Sequence, residues 1–90
     1  MMIISYDIQD DKVRSRFNKY IRRFGHRLQF SVYEIDNSPN VLKNIMSDIT
    51  NKFEKVFSQT DSVMIFEMSN TCKITRFGYA KNDESDMIIV

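Results

Sequence analysis

The sequence has little that would punctuate or crosslink it: one cysteine, one proline, two glycines and no tryptophan in 90 residues. A lone Cys72 excludes an intramolecular disulfide and suits a reducing compartment, so a cytoplasmic location is expected. So few Gly and Pro leave little room for loops, and most residues must sit in helices or strands. No apolar run exceeds four residues. A membrane-spanning helix needs roughly 20, so no membrane partner is expected. No positively charged stretch precedes the apolar start at Met1 to Ile4, and no secretory signal is read there. His26 is the sole histidine. That excludes a cluster of histidine ligands, and there is neither a Cys–His pair at useful spacing nor a Gly-rich phosphate loop.

What is present is an ordinary globular composition, 42% hydrophobic and 28% charged, in a length that allows one domain. The net charge of +1 hides a strong asymmetry of order. Lys12, Arg14, Arg16, Lys19, Arg22, Arg23 and Arg27 are seven of the thirteen basic residues, and no acid lies between Asp11 and Glu34. Acids return later, ending in Asp83, Glu84 and Asp86. Like charges three or four apart on a helix cost roughly 0.2–0.5 kcal/mol per pair, so such a run asks for anions from outside the segment. Either acids elsewhere in the fold neutralise it, or a polyphosphate does. Five of the seven are Arg, the better phosphate fork, which favours the second.

Periodicity gives the elements. Met1 to Ile8 reads as a buried strand, with Ile4, Tyr6 and Ile8 on one side and Ile3, Ser5 and Asp7 on the other. Asp10 or Asp11 caps a helix running to about Phe24, whose apolar arc is Val13, Phe17, Tyr20, Ile21 and Phe24. Lys12, Arg16, Lys19 and Arg23 fall together on a flank of that arc, and Arg14 lies near its opposite edge. Gly25 is expected at C′, with His26 as a partner of the helix C-terminal dipole. Arg27 to Ile35 is strand-like with a change of parity, meaning a bulge or two short strands meeting at a bend. Ser38 and Pro39 open a second helix to about Phe57, with Leu42, Ile45, Ile49, Phe53 and Val56 inward. Ser62 to Met68 and Lys73 to Tyr79 are strands, Cys72 lies in the turn between them, and 87–90 is a short apolar end. This order predicts an α+β sandwich of the ferredoxin-like, split βαβ kind, two helices on one face of an antiparallel-type sheet. Residues 1–80 form the domain and 81–90 a tail.

Asp7 is the informative residue. It ends the first strand of a segment built to be buried, and strand ends of open sheets are where sites collect. It either hydrogen-bonds the next loop or a nearby Arg, or it serves chemistry. One carboxylate is too little to hold a hard cation, but a two-fold dimer would supply two. Mg²⁺ commonly takes one or two carboxylates plus water and phosphate oxygens.

Tyr6-Asp7-Ile8, the pair Asp10-Asp11, Arg14-x-Arg16 and Gly25-x-Arg27-x-Gln29-x-Ser31-Val32-Tyr33-Glu34 resemble the CRISPR-associated endoribonuclease Cas-two family, the small dimeric protein of spacer acquisition. The resemblance is densest before residue 36. The family often has Tyr and Phe where this chain has Phe30 and Tyr33, so the aromatic character is kept. The resemblance implies a symmetric homodimer in which Asp7 faces its mate at a Mg²⁺ site. It gives the strand at 87–90 to the partner's sheet, the alternative being its own. It also places Tyr6, Arg14, Arg16, Arg27 and Tyr33 in nuclease function or substrate contact, beside Lys19 and Arg23 of the basic flank. Two functions are expected from it. One is a metal-dependent endonuclease on RNA or DNA. The other is a non-catalytic bridge between copies of the CRISPR integrase subunit, holding duplex backbone.

Overall fold

Met2, Ile4 and Tyr6 alternate with Ile3, Ser5 and Asp7, and the computed structural model turns the first set inward. The structure describes residues 1–36, 38–68 and 72–78. The strand β1 (Met2–Asp7) leads into helix α1 (Asp11–Ile21), then β2 (Gly25–Gln29), β3 (Val32–Ile35), helix α2 (Pro39–Asp48), β4 (Ser62–Met68) and β5 (Cys72–Gly78). The sheet order is β2-β3-β1-β4-β5 with every neighbouring pair antiparallel. Strands β1 and β2 run the same way with β3 hydrogen-bonded between them, which is the split βαβ arrangement expected from the sequence. With β5 added outside β4, the α+β ferredoxin-like fold holds.

Both helices cover one face. Met2, Ile4, Tyr6, Tyr33, Ile35, Val63 and Ile65 meet Phe17 and Ile21 of α1 and Ile45 of α2 in one core. Side chains of this size contribute about 1.5–3 kcal/mol each when fully buried. The other face carries Ile3, Val32, Met64, Phe66 and Ile74, all half-buried, and among the described residues no helix or strand packs on it. Asp7 stands at the end of that face.

Several expectations need correcting. Helix α1 stops at Ile21 rather than near Phe24, because Arg22 and Phe24 turn their amides back onto Asn18 and Ile21. Gly25 therefore opens β2 instead of capping the helix. It is required there by close packing, since a Cβ would sit 1.9 Å from the carbonyl oxygen of Glu34. His26 accordingly leaves the helix end and lies on β2, 3.6 Å from Glu34. The parity change at 27–35 is both of its alternatives at once: β2 and β3 form a hairpin, with a register shift between Arg27 and Gln29 and Ser31 at φ 67° in its tip. Cys72 begins β5, half-buried, because the strand pairing extends to Met68 opposite it.

Ser38 and Pro39 open α2 as read, although the Ser38 side chain makes no capping bond. Beyond Asp48 the chain passes through a π-helical turn (Ile49–Phe53) and a 3₁₀ turn (Glu54–Val56). The wider turn rotates the residues after it, so Phe57 is buried and Val56, expected inward, is 46% exposed. The tail at 81–90, including the strand expected at 87–90, lies outside the described residues.

Candidate functional site

Asp7 is exposed on the sheet face away from the helices. One carboxylate oxygen accepts from Gln9 Nε2 at 3.1 Å. It forms no ion pair among the described residues. The nearby Arg that could have satisfied it is engaged elsewhere. Arg14 Nη1 donates to the carbonyls of Ile8 at 3.0 Å and Gln9 at 3.2 Å, and Nη2 pairs with Asp11. Asp10, not Asp11, caps α1, accepting from the Val13 amide at 2.9 Å.

The turn after Asp7 is held by a residue that no sequence motif singles out. Asp61 is fully buried and accepts the Gln9 amide at 2.9 Å and the Ser58 amide at 2.8 Å. A buried carboxylate is tolerated because charged acceptors of this kind offset their desolvation with backbone donors. Gly78 presses against the same point: its φ is +111°, and a Cβ would lie 2.3 Å from the Asp61 carbonyl oxygen. The only hint in the sequence was an acid immediately before an apolar strand.

Can these groups hold a cation? Among the described residues no three His, Cys, Asp or Glu side chains gather closely enough to do so. Asp7 alone is a fit for part of a Mg²⁺ shell, since that ion accepts one or two carboxylates and keeps water otherwise. The chain thus offers half a site.

The basic residues divide across α1. On one flank Arg16, Lys19 and Arg23 line a cleft of about 280 Å³ with Tyr20 and Phe53. The Arg16 guanidinium lies 5.8 Å from the Phe53 ring centre and that of Arg23 5.7 Å from Phe24, which fixes their stems while leaving the forks outward. None of the three has an ion-pair partner among the described residues. Tyr20 donates its hydroxyl to Asp48 at 2.5 Å, and burial, followed by the bond to Asp48 and its charge, raises the Tyr20 hydroxyl well above the ordinary tyrosine range.

On the other flank a cavity of about 330 Å³ is lined by Asn18, Arg22, Gly25, His26, Arg27 and Tyr33. Tyr33 is buried and donates to Asn18 Oδ1. Tyr6 is also in the core, stacked on Tyr33 with ring centres 6.3 Å apart and edge-on to Phe17 at 5.0 Å. Burial raises the Tyr6 hydroxyl, with the Tyr33 hydroxyl adding to this, while Ser31, Arg27 and Arg14 pull it back. Both tyrosines therefore lie beneath Arg14 and Arg27 rather than on the surface. The structure places Tyr6, Tyr33, Arg14 and Arg27 in one neighbourhood and Arg16, Lys19 and Arg23 in another. Asp7 is joined to neither by a hydrogen bond or ion pair.

Comparison with known sequences agrees with this architecture. Residues 1–76 match the model of a family described as CRISPR associated protein Cas2. A protein named CRISPR-associated endoribonuclease Cas2 2, from Methanospirillum hungatei JF-1, is 30% identical over 90 residues, covering 98% of this chain and 97% of that one. Cas2 4 of Rhodospirillum rubrum, also named an endoribonuclease, is 31% identical over 82% of this chain and 57% of its own length. A Thermus thermophilus protein with the same type of name is 35% identical over 63% of this chain and 64% of its own.

Proposed function

The chain belongs to the CRISPR-associated Cas2 family, and on that premise we propose that it is a homodimeric endonuclease of CRISPR adaptation, hydrolysing RNA or DNA at a site shared by two copies. The observation that carries this reading is Asp7: an exposed carboxylate, free of cation partners among the described residues, at the end of a half-buried apolar sheet face. A second copy laid on that face would cover Ile3, Val32, Met64, Phe66 and Ile74 and bring two Asp7 side chains toward one axis. Two carboxylates so placed repel unless a cation lies between them.

Asp7 and its mate would hold Mg²⁺, which when bound polarises a phosphoryl oxygen and lowers the pKa of water. Arg16, Lys19 and Arg23 bind the flanking backbone, their charges unneutralised among the described residues and their stems held on aromatic rings. Gln9 orients Asp7 through its side-chain amide and, having only a donor there, does not act as a base. No other proton acceptor contacts Asp7 among the described residues, so turnover is expected to be slow.

The second reading, a scaffold that bridges integrase subunits and grips duplex DNA without cutting it, is favoured by the same basic row. Arg16, Lys19 and Arg23 could do that work with Asp7 idle. Asp7→Asn in a rigorously purified dimer separates the two. Loss of metal-dependent cleavage with DNA binding intact supports the enzyme. Undiminished cleavage rules out this site, and absence of cleavage in the parent protein leaves the scaffold.

A further inference from the structure

The peptide unit that follows Asp7 is gripped from both sides by charged side chains. Its amide end, Gln9 N–H, goes to buried Asp61, which comes from 52 residues away. The two carbonyls of the turn, those of Ile8 and Gln9, go to one nitrogen of Arg14. Asp61 is itself fixed by the Ser58 amide at 2.8 Å and by the close approach of Gly78. With its backbone so held, Gln9 turns its side-chain amide back onto the Asp7 carboxylate. These contacts converge on a single exposed acid.

We propose that Gln9, Asp61 and Arg14 are positioning residues that fix the Asp7 carboxylate for cation binding. In this view the Arg14 guanidinium serves the turn and not a phosphate. The proposal rests on Asp7 being a metal ligand. A carboxylate free to rotate must be ordered when it takes up an ion, and immobilising such a side chain costs about 0.5–1.5 kcal/mol. Groups that orient a ligand from behind commonly contribute 10- to 100-fold to metal affinity. Asp61 suits this task because both its oxygens are engaged by backbone amides. Asn in its place keeps one acceptor and sets an NH₂ group against the other amide.

The test titrates the full-length dimer with Mn²⁺, followed by electron paramagnetic resonance, in the parent and in Gln9→Ala, Asp61→Asn and Asp7→Asn. Gln9 is exposed, so Gln9→Ala is expected to keep its melting temperature and dimer mass yet bind Mn²⁺ about tenfold more weakly. Asp61→Asn is expected to lose at least as much. Should it fail to fold, Gln9→Ala carries the test alone. Parent-like Mn²⁺ affinity in Gln9→Ala, beside lost binding in Asp7→Asn, overturns the clamp while leaving the metal site standing. Parent-like affinity in Asp7→Asn overturns the metal site, and the clamp's purpose with it.

Discussion

Tyr20 on α1 donates its hydroxyl to Asp48, the last residue of α2, at 2.5 Å. The bond ties the two helices together under the basic cleft, with Phe53 5.2 Å from the Tyr20 ring. Tyr20→Phe is expected to destabilise the fold by about 1–3 kcal/mol, since it leaves a part-buried carboxylate oxygen without its donor. The pH dependence has a definite sign. Folding raises the Tyr20 hydroxyl above its ordinary value of 10.0, so this stabilisation is fully present below pH 10. It is lost as pH rises past that point through the folded-state value. Denaturant melts between pH 8 and 11 should show the parent losing stability faster than Tyr20→Phe.

The two groups of arginines should behave differently toward salt. Each phosphate contacted on a duplex adds about 0.9 to the slope of log affinity against log salt. Arg16→Ala and Arg23→Ala are each expected to reduce that slope by about one contact, because both forks are free of ion pairs among the described residues. Arg14→Ala should leave the slope nearly unchanged, since its donors are occupied by Ile8, Gln9 and Asp11. Fluorescence anisotropy with a labelled duplex at several salt concentrations measures all three. An Arg14 effect as large as that of Arg16 would contradict its assignment to the turn.

The π-helical turn makes a prediction about neighbours. Val56→Ser, at a 46% exposed position, is expected to change stability by no more than about 0.5 kcal/mol. Phe57→Ala, at a position 8% exposed, should cost about 3–5 kcal/mol. Equal effects in urea melts would mean that the helix continues unbroken.

That contrast also marks what the sequence could disclose. The alternation of Met2, Ile4 and Tyr6 against Ile3, Ser5 and Asp7 is a property of adjacent residues, and the strand it announces is there. Strand order followed from element order and from the β2–β3 hairpin hidden in the parity change at 27–35. The inward face beyond Ile49 was misjudged because 3.6-residue spacing was carried straight through the segment, and one extra residue in a turn rotates everything after it by roughly 100°. The three cations Arg16, Lys19 and Arg23 were legible as neighbours because helical spacing alone brings them together. Arg14 was not legible as a turn holder, because its partners are carbonyl oxygens, which every residue has. Asp61 was missed for the same reason: both of its partners are backbone amides, one of them 52 residues distant.

The central claim is that each chain contributes one Asp7 to a cation site completed by a second copy. The most direct measurement is the stoichiometry of Mn²⁺ bound to the purified protein, with the oligomeric state determined on the same sample. One tight ion per two chains, abolished by Asp7→Asn, is the predicted result. One ion per chain, or the same half-stoichiometry surviving Asp7→Asn, would contradict it.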